Sequence, residues 1–142
     1  MSDQHHQDAF LDLLPAVARA VTRRLGDVLR PYQITAAQYS VVRLLIEVGP
    51  MTPKDISERL TTDISTIIGT ITRLERDQFV IRKPSPTDGR STVLEVSDQG
   101  RAAYSGAQPG VDEFLAGLQK PLSTGEKTVL RQALLATLQN DI

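Results

Sequence analysis

Between residues 8 and 30, apolar side chains recur at Phe10, Leu14, Val17, Val21, Leu25 and Val28. Steps of three and four residues are close to a heptad seam and predict one long amphipathic helix. Pro31 stops it. Thr35 and Gln38 are spaced as a capping box and open a second helix through Val48, which Gly49 and Pro50 end. Thr52, Pro53 and Asp55 repeat the start signal for a short third helix over residues 53–60, with Ile56 and Leu60 inward. Thr61, Thr62 and Asp63 supply a turn and a cap for a fourth helix reaching about Asp77. Its Ile64, Ile67, Ile68, Ile71 and Leu74 occupy one arc of about 120° at 100° per residue. Ser65, Thr66, Gly69, Thr70, Arg73 and Arg76 fill the opposite arc.

Residues 79–81 and 92–96 read as strands around the turn-rich segment 85–90, which predicts an exposed hairpin tip carrying Arg90. Ser97 caps a fifth helix that meets Pro109, where a kink or break is expected. Apolar periodicity resumes at Val111, Phe114, Leu115 and Leu118, and Pro121 ends the segment. Ser123 and Glu126 form another capping box, before a last helix carrying Val129, Leu130, Ala133, Leu134 and Leu138. The expected fold class is mainly α with a small β-wing (α+β). A short helix pair followed by a hairpin is a device for reading DNA: the second helix enters the major groove and the hairpin touches backbone or minor groove.

Composition narrows the chemistry. The chain has 142 residues, 40% hydrophobic and 4% aromatic, which bounds it to one domain with a core of Leu, Ile and Val. The expected division is 1–34 as an N-terminal arm, 35–100 as the reading lobe and 101–142 as C-terminal helices. With no cysteine, disulfides, thiolate catalysis, thiol redox sensing and cysteine–metal sites are excluded together. His5 and His6 are the only histidines and are adjacent, so a metal site is not expected. No apolar run spans a membrane and no leader is visible, so the expected location is the cytoplasm. No nucleophile with a positioned base and no phosphate loop is present, so neither an enzyme nor a cofactor is expected.

Charge pulls the other way from a nucleic-acid partner. Formal net charge is −1. Residues 51–101 hold eight basic side chains (Lys54, Arg59, Arg73, Arg76, Arg82, Lys83, Arg90, Arg101) and eight acidic ones (Asp55, Glu58, Asp63, Glu75, Asp77, Asp88, Glu95, Asp98). A DNA footprint must therefore come from which face the charges occupy.

The ordered combination resembles the MarR family of bacterial winged helix-turn-helix regulators over nearly the whole chain. It consists of Gln38, then Asp63, Ser65 and Thr66, then Arg73, Leu74 and Glu75, then Val80, Ile81 and Arg82, then Asp88, Gly89 and Arg90, and last Ser97 to Gly100. The resemblance implies a homodimer joined through N- and C-terminal helical arms. It also implies a palindromic double-stranded operator and autorepression released by a small aromatic or phenolic effector. Residues 63–77 would be the recognition helix and residues 83–92 the wing. DNA contacts would come from Ser65, Thr66, Gly69, Thr70, Arg73, Arg76, Lys83, Asp88 and Arg90, with Asp88 holding the Arg90 guanidinium. Tyr32, Tyr39 and Arg43 lie at the hinge between arm and lobe and would bind an anionic aromatic ligand. Three departures stand out: Gly69 and Gly89 replace basic residues, and Gln78 stands where a glycine usually ends the recognition helix.

Each candidate also has an ordinary role. Arg73, Arg76, Arg82 and Lys83 alone would read as a solvated face, and Ser65, Thr66 and Thr70 as caps and helix surface. Arg90 alone would pair with Asp88, and Tyr32, Tyr39 and Arg43 would be packing residues. Opposite an isoleucine stripe and beside a wing, DNA contact is the better reading. The competing function is a winged-helix dimer acting on another protein, as antirepressor or scaffold, which the neutral balance, Gly69 and Gly89 favour.

Overall fold

The computed structural model describes residues 7–140, so His5 and His6 lie outside the described residues. Chain order is α1 (Leu14–Leu29), α2 (Ala36–Val48), α3 (Pro53–Leu60), α4 (Ile64–Arg76), β1 (Val80–Pro84), β2 (Thr92–Val96), α5 (Asp98–Gln119) and α6 (Thr124–Gln139). The starts are written in the sequence. Thr35 and Ser123 form reciprocal capping boxes with Gln38 and Glu126. Thr52, Asp63 and Ser97 each accept one backbone N–H at the third position of their helix. These bonds satisfy amides that a helix start leaves without partners.

The core fills the space enclosed by α2, α3, α4, the hairpin and the adjacent parts of α1 and α5. Leu29, Val42, Ile56, Ile71, Leu74 and Leu94 are fully buried in it. β1 and β2 are antiparallel, with Val80 opposite Val96 and Pro84 opposite Thr92. Met51 adds a backbone bridge to Leu94, so the hairpin is also tied to the turn before α3.

The first helix departs from the expected single run. Asp8 accepts from the Phe10 and Leu11 amides, residues Ala9–Leu13 form a π-type turn, α1 follows, and Arg30–Tyr32 close in a 3-10 turn. Of the kink or break expected at Pro109, the break is absent: α5 runs unbroken through it. Buried Ala107 and Val111 flank the proline, and Gly110 brings the backbone close to Val28 of α1. Packing on both sides outweighs the local cost of one lost helix bond.

The ends differ from the lobe. α6 contains no buried residue, and Val129, Leu130, Leu134, Leu135 and Leu138 are all exposed. On α1 the apolar seam is exposed at Leu14 and Val17 and half-buried by Val21, Leu25 and Val28. Among the described residues no helix is long and apolar enough to cross a membrane.

Candidate nucleic-acid interface

α4 is set into the lobe by Ile67, Thr70, Ile71 and Leu74, all buried. The face turned outward holds Ser65, Thr72, Arg73 and Arg76, with Gly69 partly covered. This corrects the expected arc in two places. Thr70 is only 3% exposed, its hydroxyl donates to the Thr66 carbonyl, and it packs inward rather than facing a ligand. Ile64 and Ile68 are 44% and 50% exposed, although both fall within the isoleucine arc. The buried arc is rotated toward Thr70 because α2 and α3 lie on that side, where threonine's methyl fits and its hydroxyl is satisfied by its own helix. Thr72, which the apolar pattern gave no reason to single out, is exposed on the outward face.

At the N-terminus of α4, Asp63 accepts from the Thr66 amide and from the hydroxyls of Ser65 and Thr66, the latter two at 2.8 Å. The backbone bond, then the two hydroxyls, hold its carboxyl below the usual carboxylate range. The C-terminus closes with paired backbone bonds: the Phe79 amide donates to Leu74 and the Gln78 amide to Glu75. This closure places the residue after the C-cap in the left-handed region, and Gln78 sits there at φ 64°.

Asp77 lies between the elements. It accepts from Gln38 Nε2 at 2.8 Å and Arg76 Nε at 3.1 Å, and its backbone carbonyl accepts from Gln99. Arg76, then Gln38, lowers the Asp77 carboxyl from its ordinary value. Gln38 is only 2% exposed, so the end of α4 is pinned to the starts of α2 and α5 through a buried amide. Sequence gave Gln38 a capping role alone, because its second partner is 39 positions away.

The wing tip is built by short polar bonds. Ser85 Oγ accepts from the Thr87 and Asp88 amides, and Asp88 accepts from the Arg90 amide and the Ser91 hydroxyl. Asp88 therefore shapes the turn through Arg90's backbone, and the expected pairing with the guanidinium is not formed: both carboxylate oxygens are engaged in the turn. Arg82 pairs with Glu75 at 2.8 Å, Lys83 with Glu95 at 3.1 Å and Arg76 with Asp77. Of the candidate cations, Arg73 and Arg90 have no ion pair among the described residues.

The hinge residues are not brought into one cavity. Tyr39 is buried in the core and stacked on Tyr104 of α5 at 5.2 Å between ring centroids. Burial, then Tyr104, pushes its hydroxyl up to about 12. Arg43 is exposed and pairs with Glu47 one turn along α2. Tyr32 lines a separate cleft of about 460 Å³ with Gln33, Asp77, Phe79, Gln99 and Ala102.

Residues 34–92 match the model of the MarR family. The organic hydroperoxide resistance transcriptional regulator of Bacillus subtilis is 32% identical, over 89% of this chain and 84% of that protein. The homoprotocatechuate degradative operon repressor of Escherichia coli is 29% identical, over 76% of this chain and 72% of that protein. A mutant E. coli MarR crystallised with operator DNA superposes with a TM-score of 0.80 at 27% identity, covering 89% of this chain and 91% of that one. With its winged lobe, outward arginines and capped recognition helix, the chain belongs to the MarR family and is a DNA-binding transcriptional regulator rather than an enzyme.

Proposed function

We propose that the chain is a homodimeric repressor of a palindromic operator near its own gene. The observation that carries this is the pairing of two features: Arg73 and Arg90 stand without ion pairs among the described residues, on α4 and the wing, while α1 and α6 expose apolar stripes. Two lobes joined through those ends place two recognition helices on one side, as successive major grooves about 34 Å apart require. The test is titration of duplex from upstream of the gene at several salt concentrations. Each neutralised phosphate contributes about −0.9 to the slope of log K against log salt. Arg73 and Arg90 of both protomers give a slope of about −4, and release of Arg76 and Lys83 from their partners brings it to about −7. A flat response points instead to a protein partner, the reading that the internally paired cations favour.

Release by a small aromatic or phenolic compound completes the proposal. The E. coli relative, by its name, represses the homoprotocatechuate degradative operon. At the hinge, Arg43 is held only by an exposed pair with Glu47, which a ligand carboxylate displaces at little cost. Tyr39 backs this position, and Tyr32 occupies the other side of the arm–lobe junction. The absence of cysteine leaves no thiolate to sense an oxidant, so binding rather than oxidation is the release step. Salicylate is the probe: it should weaken duplex binding about 5- to 150-fold, and Arg43→Ala should blunt that response while binding without salicylate stays near normal. Salicylate leaving duplex affinity untouched would remove this half of the proposal.

A further inference from the structure

We propose that Ile68, aided by Ile64, determines sequence specificity by packing on thymine methyl groups in the major groove, so that the first two turns of α4 select A·T pairs. This inference rests on the DNA-binding reading above and specifies what the recognition helix reads. Ile64 and Ile68 lie one turn apart in the first two turns of α4, the part of a recognition helix that meets base edges. Both are about half exposed, while Ile67 and Ile71 beside them are buried. The exposed halves of these two isoleucines, left in water among serine, threonine and arginine, gain nothing for the fold. The C5-methyl of thymine is the one apolar group that a base pair presents in the major groove.

The polar neighbours leave that choice to the isoleucines. Every hydroxyl on this helix already donates: Ser65 and Thr66 to Asp63, Thr70 to the Thr66 carbonyl and Thr72 to the Ile68 carbonyl. The exposed hydroxyls of Ser65 and Thr72 keep only acceptor capacity toward a ligand, which suits the amino group of adenine or of cytosine, so the choice of A·T pairs falls to the isoleucines. Gly69, next to Ile68, is under no conformational demand for glycine. A Cβ there would meet only the end of the Arg73 side chain, at 3.9 Å. Its missing side chain lets the helix backbone and the Ile68 side chain come close to the base edges.

The experiment uses the purified full chain and a duplex that it selects from a random-sequence library. Thymines in the symmetric half-sites are then replaced by deoxyuridine, which removes only the methyl group. Affinity should fall about fourfold for each contacted methyl, the equivalent of about 0.8 kcal/mol, and about sixteenfold for a symmetric pair. Ile68→Ala should bind the thymine and uracil duplexes equally, and about as weakly as the parent binds the uracil duplex. Because Ile68 is exposed, its removal should leave the far-ultraviolet circular dichroism and melting unchanged. Equal binding of both duplexes by the parent, or a thymine preference that survives in Ile68→Ala, would overturn the assignment while leaving DNA binding intact. Failure to enrich any duplex would overturn the DNA-binding reading and this inference with it.

Discussion

The lobe and the arms carry apolar stripes of similar length, but the lobe covers most of its own, leaving only Ile64 and Ile68 of the α4 stripe half exposed. In α4 the stripe ends in Ile71 and Leu74 at zero exposure, whereas in α6 Leu130, Leu134 and Leu138 stay 39–51% exposed. The same heptad-like spacing therefore has two outcomes, set by what lies opposite. Around α4 stand α2, α3 and the hairpin, all supplied by the chain itself. Around α6 the described residues supply no wall that buries a residue. In the proposed homodimer a second copy of the chain would supply that wall, offering the same stripes in return.

The sharpest way to break that comparison is to charge the arm. Leu134→Glu should leave the lobe folded but weaken the dimer by about 3 kcal/mol, since each protomer forfeits the remaining burial of one leucine and must cover a carboxylate instead. Sedimentation velocity should show monomers with near-parental helix content. An unchanged dimer would place the interface elsewhere.

The joint between the regions comes next. A Cβ at Gly100 would run into the carbonyl oxygen of Phe79 and crowd Val96. Gly100→Ala should therefore destabilise the chain by about 3 kcal/mol in urea titration, because backbone and not a flexible side chain must give way. A neutral effect would mean that the corner between α5 and β1 shifts freely, and that arm and lobe are less firmly joined than the Gln38–Asp77–Gln99 bonds imply.

Arg90→Ala separates function from both regions. The residue is exposed at the wing tip, and only its backbone takes part in the turn. Duplex binding should weaken by about 1–3 kcal/mol with dimer and melting temperature unchanged. Unchanged affinity would show that the wing is unused.

The smallest effect is a gain. Gln78 closes α4 at φ 64°, where glycine has no steric cost. Gln78→Gly should stabilise by about 1 kcal/mol and raise the melting temperature by about 3 °C. A loss of stability would mean that the glutamine side chain makes a compensating contact.

Local chemistry was legible where a residue's partners are within a turn of it. The caps at Thr35, Thr52, Asp63, Ser97 and Ser123 each bond three positions ahead, and each appears where its residue type and spacing place it. The hairpin and its arginine tip were legible for the same reason. What periodicity left open was direction. It grouped Ile64 and Ile68 with Ile71, but which side of that arc faces the core depends on α2 and α3, and they turn it toward Thr70. The unbroken passage through Pro109 depends on α1, distant in sequence. At the wing, Asp88 beside Arg90 is as consistent with a turn as with an ion pair, and the Arg90 amide and the Ser91 hydroxyl take the carboxylate. At the hinge, Tyr39 was recognisable as aromatic and near Arg43, but its partner is Tyr104 of α5, which draws it into the core.

Sedimentation equilibrium of the free chain at micromolar concentration tests most directly whether the lobe is complete and the arms are not. The account predicts a single species of twice the 15.6 kDa chain mass, present without DNA and reduced to the chain mass by Leu134→Glu. A stable, soluble monomer across the micromolar range would contradict it, because the exposed stripes of α1 and α6 would then need no partner.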